Sequence, residues 1–236
     1  MSDGLVLAVD TATDSVVAGV AALHAGEVRV LAERAVADHR RHAELLTTLI
    51  AESLTESGTA RTDLTAVVVG CGPGPFTGLR VGMATGAAFA DALGIPAYGV
   101  CSLDALAAEA DRDVVDAGSR TLVVTDARRR EVYWALYEGG RRLRGPEVAA
   151  PAVVAEELAP DWSAGRIRVV AGSAAHLESA GWTGAAPAIA VPTVRGLTAA
   201  AAAGIGAGRM PEPLVPLYLR RPDAVEQKDR RAGAAR

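Results

Sequence analysis

Three strand patterns followed by a helical pattern constrain the fold of this 236-residue chain more than any other feature of its sequence. The run at 5–10 is apolar and ends in the turn-forming stretch Asp-Thr-Ala-Thr-Asp, and further strand patterns follow at 15–23 and 27–36. From His42 onward, leucine and isoleucine recur at helical spacing until a glycine stops the pattern. The sequence therefore predicts an antiparallel meander of three strands and then an amphipathic helix.

Strand and helix patterns then alternate along the chain. Apolar runs at 66–71 and 97–101 predict buried strands, and helical patterns follow them at 79–93 and 102–110. Ser102 is predicted to cap the second of these helices. This alternation is typical of a sheet with parallel strands and helical crossovers.

The same order of elements begins again, in weaker form, after a polar connector at 111–119, with strand patterns at 121–125 and 131–137. The sequence therefore predicts an α/β fold of the actin-like ATPase class (ASKHA, ribonuclease H-like), with two duplicated lobes and mixed sheets. The expected domains are an N-terminal lobe at 1–110 with a C-terminal helix at 195–208 packed on it, a C-terminal lobe at 111–194, and a flexible charged tail at 222–236.

A loop rich in glycine and proline, Gly72-Pro-Gly-Pro-Phe-Thr-Gly-Leu-Arg80, separates a predicted strand from a predicted helix. Glycine lets a backbone approach a ligand closely, and a helix N-terminus attracts anions. The spacing matches neither the P-loop nor the dinucleotide fingerprint, and Pro73 and Pro75 have no N–H to donate. Two interpretations stay open: a rigid turn that fixes the following helix, and an anion site.

Two acidic turns are further candidates for phosphate chemistry. Asp10 and Thr11 follow the first strand, where they either face a metal-bound phosphate or form an Asx turn. The matching turn of the second lobe, Asp126-Ala-Arg-Arg-Arg130, has no glycine, and its arginines either attract phosphate or RNA or form a solvated cationic turn. No cofactor is assigned. The candidate remnants of phosphate-binding loops are Asp10, Thr11, Gly74, Thr77 and Gly78.

Composition and isolated cysteines exclude several classes of function. A net charge of −4 argues against a chain that binds RNA by itself through a basic surface, and an aromatic content of 4% argues against a surface on which bases stack. Cys71 and Cys101 have apolar neighbours and no CxxC spacing, so they are expected to be buried, reduced thiols. No secretory signal and no apolar run as long as a membrane span is visible, so a cytoplasmic protein without membrane contact is expected.

The four histidines support neither a metal site nor a hydrolase. His39 and His42 are three residues apart, but a polar helix start explains them as well as a metal site does. His24 and His176 stand alone in the sequence, and Gly172-Ser-Ala is not the GxSxG elbow of serine hydrolases. No metal site and no catalytic residue are therefore assigned.

Six segments of the chain occur together in one known family. They are Leu7-Ala-Val-Asp-Thr-Ala-Thr13, His42-Ala-Glu-Leu-Leu46, Gly72-Pro-Gly-Pro-Phe-Thr-Gly-Leu-Arg80, Gly99-Val-Cys-Ser-Leu103, Asp126-Ala-Arg-Arg-Arg-Glu-Val-Tyr-Trp134 and Pro216-Leu-Tyr-Leu-Arg220. In this order they resemble the TsaB (YeaZ) family of tRNA threonylcarbamoyladenosine biosynthesis subunits, over residues 5–226. The family usually has serine where Pro75 stands, and this departure removes an N–H and a hydroxyl from the loop.

The resemblance implies a non-catalytic scaffold or activator. The sister enzyme TsaD holds its metal through two histidines, whose places fall on Ser102 and Leu106 here, and an apolar leucine cannot coordinate a metal. The expected function is that of a pseudo-enzyme subunit that binds TsaD, with TsaE, for threonylcarbamoyl transfer to the N6 of adenosine 37 in tRNA. ATP and metal are then expected in the partner, and contact with tRNA only through the complex. The alternative is an ATP-dependent small-molecule kinase of the actin-like superfamily, which needs both phosphate loops.

A stripe of small residues on the predicted helix at 79–93 is a candidate subunit interface. Gly82, Gly86 and Ala90 fall at four-residue steps, with Leu79 and Met83 beside them, and leave a shallow groove that another helix can approach. One interpretation makes these five residues a subunit interface, used in a homodimer when the chain is alone. The other packs the groove against the chain's own sheet or its C-terminal helix.

Overall fold

The computed structural model describes residues 4–37, 42–110, 118–179, 181–182 and 189–220. Its strands are β1 (Gly4–Asp10), β2 (Ser15–His24), β3 (Glu27–Ala37), β4 (Leu64–Gly70), β5 (Ala97–Val100), β6 (Arg120–Asp126), β7 (Val132–Glu138), β8 (Arg141–Ala149) and β9 (Ile167–Gly172). Its α-helices are α1 (His42–Ser57), α2 (Phe76–Leu93), α3 (Ser102–Ala110), α4 (Pro151–Ser163), α5 (Ala174–Ser179) and α6 (Val194–Gly206). No helix within these ranges has the length and apolar character needed to cross a membrane.

The first sheet has the strand order β3-β2-β1-β4-β5. Strands β1, β2 and β3 are antiparallel neighbours, whereas β4 pairs parallel with both β1 and β5. Both faces of β1 are buried, since Leu7 and Val9 pack with α1 and α2 while Val6 and Ala8 pack with α6. A strand covered on both faces needs a continuous apolar sequence, which explains why the first strand pattern shows no alternation.

The second sheet repeats this arrangement with the order β8-β7-β6-β9. Strands β6, β7 and β8 are antiparallel neighbours, and β9 runs parallel to β6, as β4 does to β1. Helices α4 and α5 cover one face, where Leu158 and Leu177 pack with Trp134, and α3 covers the other. The predicted actin-like fold, with two duplicated lobes and mixed sheets, is confirmed.

Helix α3 lies between the two sheets. Its Ala105 packs in the core of the first sheet, together with α6, whereas Leu103 and Leu106 pack in the core of the second. The boundary between the predicted lobes stays a prediction, because 111–117 are outside the described ranges. The predicted tail at 222–236, His39 and the side chain of His42 are outside them as well.

Three local features differ from the sequence-based expectation. Helix α2 begins at Phe76 rather than at residue 79, and the short helix α5 was not predicted at all. The predicted cap at Ser102 is wrong, because Ser102 is already helical and its hydroxyl donates to Asp10 instead.

The small-residue stripe of α2 faces inward, so its interpretation as a subunit interface is corrected. All five predicted interface residues are buried within the chain: Leu79, Gly82, Met83, Gly86 and Ala90. A Cβ added at Gly86 would lie 2.5 Å from Cγ2 of Val69 on β4, and one added at Gly82 would clash with the hydroxyl of Thr11. The glycines are therefore needed for close packing of the helix on the chain's own sheet.

Candidate functional site between the two sheets

Asp10 ends β1 and is fully buried. Its Oδ1 accepts a hydrogen bond from the Ala12 N–H at 2.8 Å, and its Oδ2 accepts one from the Ser102 hydroxyl at 2.5 Å. A Cβ at Gly70, the last residue of β4, would clash with Oδ2, so glycine is required there. Both carboxylate oxygens of Asp10 are thus bound within the chain.

Burial sets the protonation of the groups around this aspartate. Desolvation raises the pKa of Asp10 from 3.8 to about 6, although the hydrogen bonds from Ser102 and Ala12 lower it. Burial and the nearby charge of Asp10 raise the pKa of Cys71 to about 11, and burial raises that of Cys101 to about 12. At neutral pH both cysteines are therefore protonated thiols, with little of the nucleophilic thiolate form.

The raised pKa of Asp10 predicts how stability changes with pH. Below the unfolded value of 3.8 both states hold the proton, and between 3.8 and about 6 only the folded state does. The free energy of unfolding is therefore expected to fall by about 3 kcal/mol as pH rises across this interval. Urea unfolding of the wild type and of Asp10→Asn, at a series of pH values, isolates this contribution. If the two curves ran parallel from pH 4 to 7, the buried carboxyl would not titrate as described.

Thr11 and the glycine–proline loop are held against each other. The Thr11 hydroxyl donates to the Gly78 carbonyl at 2.7 Å and accepts from the Gly82 N–H at 3.1 Å. A Cβ at Gly74 would clash with the backbone of Ala12. Of the five candidate phosphate-loop residues, the structure buries Asp10, Thr11, Gly74 and Gly78 and exposes Thr77. These contacts favour the rigid-turn interpretation of the loop.

The turn between β6 and β7 faces the turn between β1 and β2. The Asp126 carboxylate accepts the Arg128 N–H at 2.8 Å, which makes the turn an Asx turn. Arg128 also pairs with Asp14 of the opposite turn at 2.6 Å. The two turns that sequence analysis singled out therefore lie together, and an ion pair joins them.

His176 is not isolated, contrary to the expectation from sequence. Its Nδ1 lies 2.7 Å from the Ser173 hydroxyl, and its Nε2 lies 3.3 Å from Oδ1 of Asp126. Ser173 and Asp126 line a cleft of about 310 Å³ that also contains Asp14. The Ser-x-x-His spacing at the start of α5 was the available sequence signal, but its link to Asp126 needs the fold. The contacts link the residues that follow β9 to the turn between β6 and β7.

A larger cleft of about 700 Å³ also borders the turn between β6 and β7. The start of α2, the β6–β7 turn and the extended C-terminal segment form its walls. We call it the arginine cleft. Its lining residues are Gly74, Pro75, Phe76, Ala127, Arg128, Arg129, Glu131, Tyr133, Val148, Tyr218, Leu219 and Arg220.

The outward side of α2 carries a separate, mostly apolar groove of about 600 Å³. We call it the α2 groove, and it is lined by Arg61, Ala84, Thr85, Ala88, Phe89, Ala92 and Leu93. Its alanines stand at four-residue steps, as the buried glycines do on the opposite side. Helix α2 therefore has two small-residue faces, one packed on the sheet and one exposed.

The two positions that the resemblance compares with metal-binding histidines have local roles here. Ser102 is buried and holds Asp10, and it also accepts the Gly72 N–H at 3.3 Å. Leu106 is fully buried in the core of the second sheet, with Val123 and Ala135. Across the described part of the chain, no group of three or more His, Cys, Asp or Glu side chains is placed to hold a metal ion.

Comparison with known proteins gives concordant matches. The family model for TsaD, tRNA N6-adenosine threonylcarbamoyltransferase, matches residues 29–159. An uncharacterized protein of Mycobacterium tuberculosis is 49% identical over 222 residues, which are 93% of this chain and 93% of that protein. The tRNA threonylcarbamoyladenosine biosynthesis protein TsaB of Escherichia coli is 37% identical over 133 residues, which are 56% of this chain and 54% of that protein.

A solved structure agrees over nearly the whole chain. YeaZ from Pseudomonas aeruginosa has a TM-score of 0.70 and 28% identity, and the match covers 92% of this chain and 100% of that one. The family-model match alone spans more than half of this chain. The chain therefore belongs to the family that the TsaD model describes, and within it to the TsaB (YeaZ) group.

Proposed function

We propose that this chain is a non-catalytic subunit that binds and activates a TsaD-type enzyme. Its partner transfers threonylcarbamoyl to the N6 of adenosine 37 in tRNA, with TsaE as a further component. ATP and metal belong to the partner. The observation that carries the proposal is the place of Asp10, whose two carboxylate oxygens are both bound inside the chain.

The surroundings of Asp10 support a structural role for it. A carboxylate that positions a metal-bound phosphate needs an oxygen that faces the cleft, whereas both oxygens of Asp10 are fully buried with it. The Thr11 hydroxyl, beside it, is engaged by the backbone of α2. The first turn thus serves to hold the loop and helix that follow it.

The α2 groove is the proposed docking surface for the partner. The match to the TsaD family model implies that the partner shares this fold. The partner therefore has a helix equivalent to α2, and the two helices can pair about a pseudo-twofold axis. Exposed alanines such as Ala88 let two helix backbones approach, and Phe89 and Leu93 supply apolar area beside them. A second copy of this chain uses the same groove in a homodimer when TsaD is absent.

Calorimetric titration with ATP and Mg²⁺ tests the non-catalytic part of the proposal. The chain alone is expected to show no binding at micromolar concentration, because Asp10 and Thr11 are held inside the chain and the arginine cleft offers too few contacts to hold a free nucleotide tightly. The same titration of the complex with TsaD is the positive control. A dissociation constant of about 1 μM or tighter for the chain alone, equivalent to about −8 kcal/mol, would favour the kinase alternative.

A further inference from the structure

The arginine cleft concentrates positive charge in a chain whose net charge is −4. Among the residues that the structure describes, its lining contains Arg128, Arg129 and Arg220 and one acidic residue, Glu131, which pairs with Arg220. Arg128 is about half exposed, although it pairs with Asp14 and Asp126 on one side. The balance of charge within the cleft favours an anionic ligand.

The start of α2 adds to this preference for an anion. The helix has 18 residues, and its first turn contains no acidic residue. Pro75 occupies the N-cap position, where it offers no side-chain hydrogen bond to the helix. No acidic side chain of its own first turn offsets the positive end of the helix dipole, which lies at the wall that Gly74, Pro75 and Phe76 form.

Aromatic rings supply the second part of a nucleotide-binding surface. Phe76 and Tyr218 stack with their ring centroids 4.5 Å apart, and the Arg80 guanidinium lies 3.8 Å from the centroid of Phe76. Arg80 also donates to the Tyr218 hydroxyl at 3.1 Å, which fixes the ring. Tyr218 is 37% exposed, so part of its ring is open to stacking by a base.

The backbone of the turn holds the arginines in place. Arg128, Arg129 and Arg130 have φ values of 61°, 54° and 62°, a left-handed conformation that is uncommon for residues other than glycine. The Ala127 N–H donates to the Glu131 carbonyl and the Glu131 N–H donates to the Arg128 carbonyl, each at 3.0 Å, and these bonds close the turn. All three arginines are exposed.

We propose that the arginine cleft binds one nucleotide of tRNA when this chain is assembled with TsaD. The phosphate contacts Arg129, Arg220 and the start of α2, and the base stacks on Tyr218. The volume of about 700 Å³ suits one nucleotide. This inference rests on the proposed function and names a surface by which the subunit contacts its substrate.

The ligand is a residue of an RNA chain rather than a free nucleotide because the cleft offers only a few contacts. Arg128 and Arg220 have carboxylate partners, which lowers the gain from one isolated phosphate. Within a complex that holds tRNA elsewhere, the same contacts act at high effective concentration and add to the total affinity.

The test measures the affinity of the assembled complex for a tRNA transcript that carries adenosine at position 37, over a range of salt concentrations. Removal of both charges in Arg129→Gln/Arg220→Gln is expected to weaken binding about tenfold and to lower the salt slope by about one, because both arginines contact one phosphate. The matched control, Arg29→Gln/Arg209→Gln, removes two exposed arginines that do not line the cleft and should leave the affinity unchanged. Equal affinities for the two double variants would overturn the proposal.

A second variant separates binding from folding. Thr77→Asp adds a negative charge at the exposed first turn of α2, which stabilises the helix while it repels phosphate. Its complex is expected to melt no lower than the wild type and to bind tRNA more weakly. Unchanged tRNA binding by this variant would contradict a phosphate at the helix start.

Two further measurements show which proposal is wrong if the expected change in tRNA affinity is not found. Size-exclusion chromatography first establishes that each variant assembles with TsaD. A wild-type chain that did not assemble would contradict the proposed function itself, whereas an assembled complex with unchanged tRNA affinity contradicts only the cleft. Adenosine monophosphate is titrated as a competitor, and it should not displace tRNA at micromolar concentration. Displacement at that level would assign the cleft to a free nucleotide and overturn the proposal.

Discussion

Replacement of Gly86 by leucine is expected to destabilise the folded chain strongly rather than to divide a dimer. A Cβ at this position would lie 2.5 Å from Cγ2 of Val69 and 3.5 Å from Cγ2 of Val9, on two central strands of the first sheet. Neither strand can move away, because each is paired on both sides. Overpacking of this kind costs about 3 kcal/mol or more, which exceeds the gain of up to about 1 kcal/mol in helix propensity.

Since a domain is stable by only about 5–15 kcal/mol, this loss is large enough to detect by urea unfolding with circular dichroism. Ala88→Leu is the matched control, because Ala88 is exposed on the opposite side of the same helix. Its free energy of unfolding should stay within about 0.5 kcal/mol of the wild type. A Gly86→Leu chain as stable as the wild type would mean that this face of α2 is not packed on the sheet.

The interface prediction shows where sequence patterns stop being informative. Residues at four-residue steps share one side of a helix, and small side chains there indicate that something approaches closely. Helix α2 has two such sides, marked by Gly86 and by Ala88, and the pattern alone does not say which one faces the sheet. The contacts of Thr11 with Gly82 and of Val69 with Gly86 show that the glycine side faces the sheet. Each contact joins residues that are well separated in the sequence.

The strands and helices themselves could be predicted well, because burial imposes a period on the sequence. The continuous apolar run of β1 and the switch to helical spacing in α1 both follow from what covers them. The short helix α5 gives no such signal, since it has only six residues and one fully buried leucine, Leu177.

The candidate site could be predicted only in part. Its two turns stand out because they follow strands and carry Asp10 and Asp126. The partners of these carboxylates lie far along the chain, as Ser102 is 92 residues from Asp10. His176 likewise reaches Asp126 from another element. Such contacts depend on how the two sheets are placed relative to each other, and the spacing of residues along the sequence does not predict that placement.

A substitution in the α2 groove is expected to have the second large effect, a loss of affinity for TsaD. An arginine at position 88 would place an unpaired charge in the α2 groove at the proposed junction with TsaD. Burial of an unpaired charge is costly, so Ala88→Arg is expected to weaken the complex at least about 100-fold, or about 3 kcal/mol. Because Ala88 is exposed in the single chain, the variant should fold normally and only lose its partner.

Threonylcarbamoyl transfer to tRNA in a reconstituted mixture tests most directly whether this chain is a non-catalytic activator. TsaD, TsaE, this chain, ATP and substrate are combined, and each protein is omitted in turn. Transfer should fall to background without this chain or without TsaD, and also with Ala88→Arg. Asp10→Asn, which keeps the shape of the buried carboxylate, should still support transfer at a temperature where it is folded. If Asp10→Asn bound TsaD normally but abolished transfer, the first turn would belong to an active site and the chain would be a catalytic subunit.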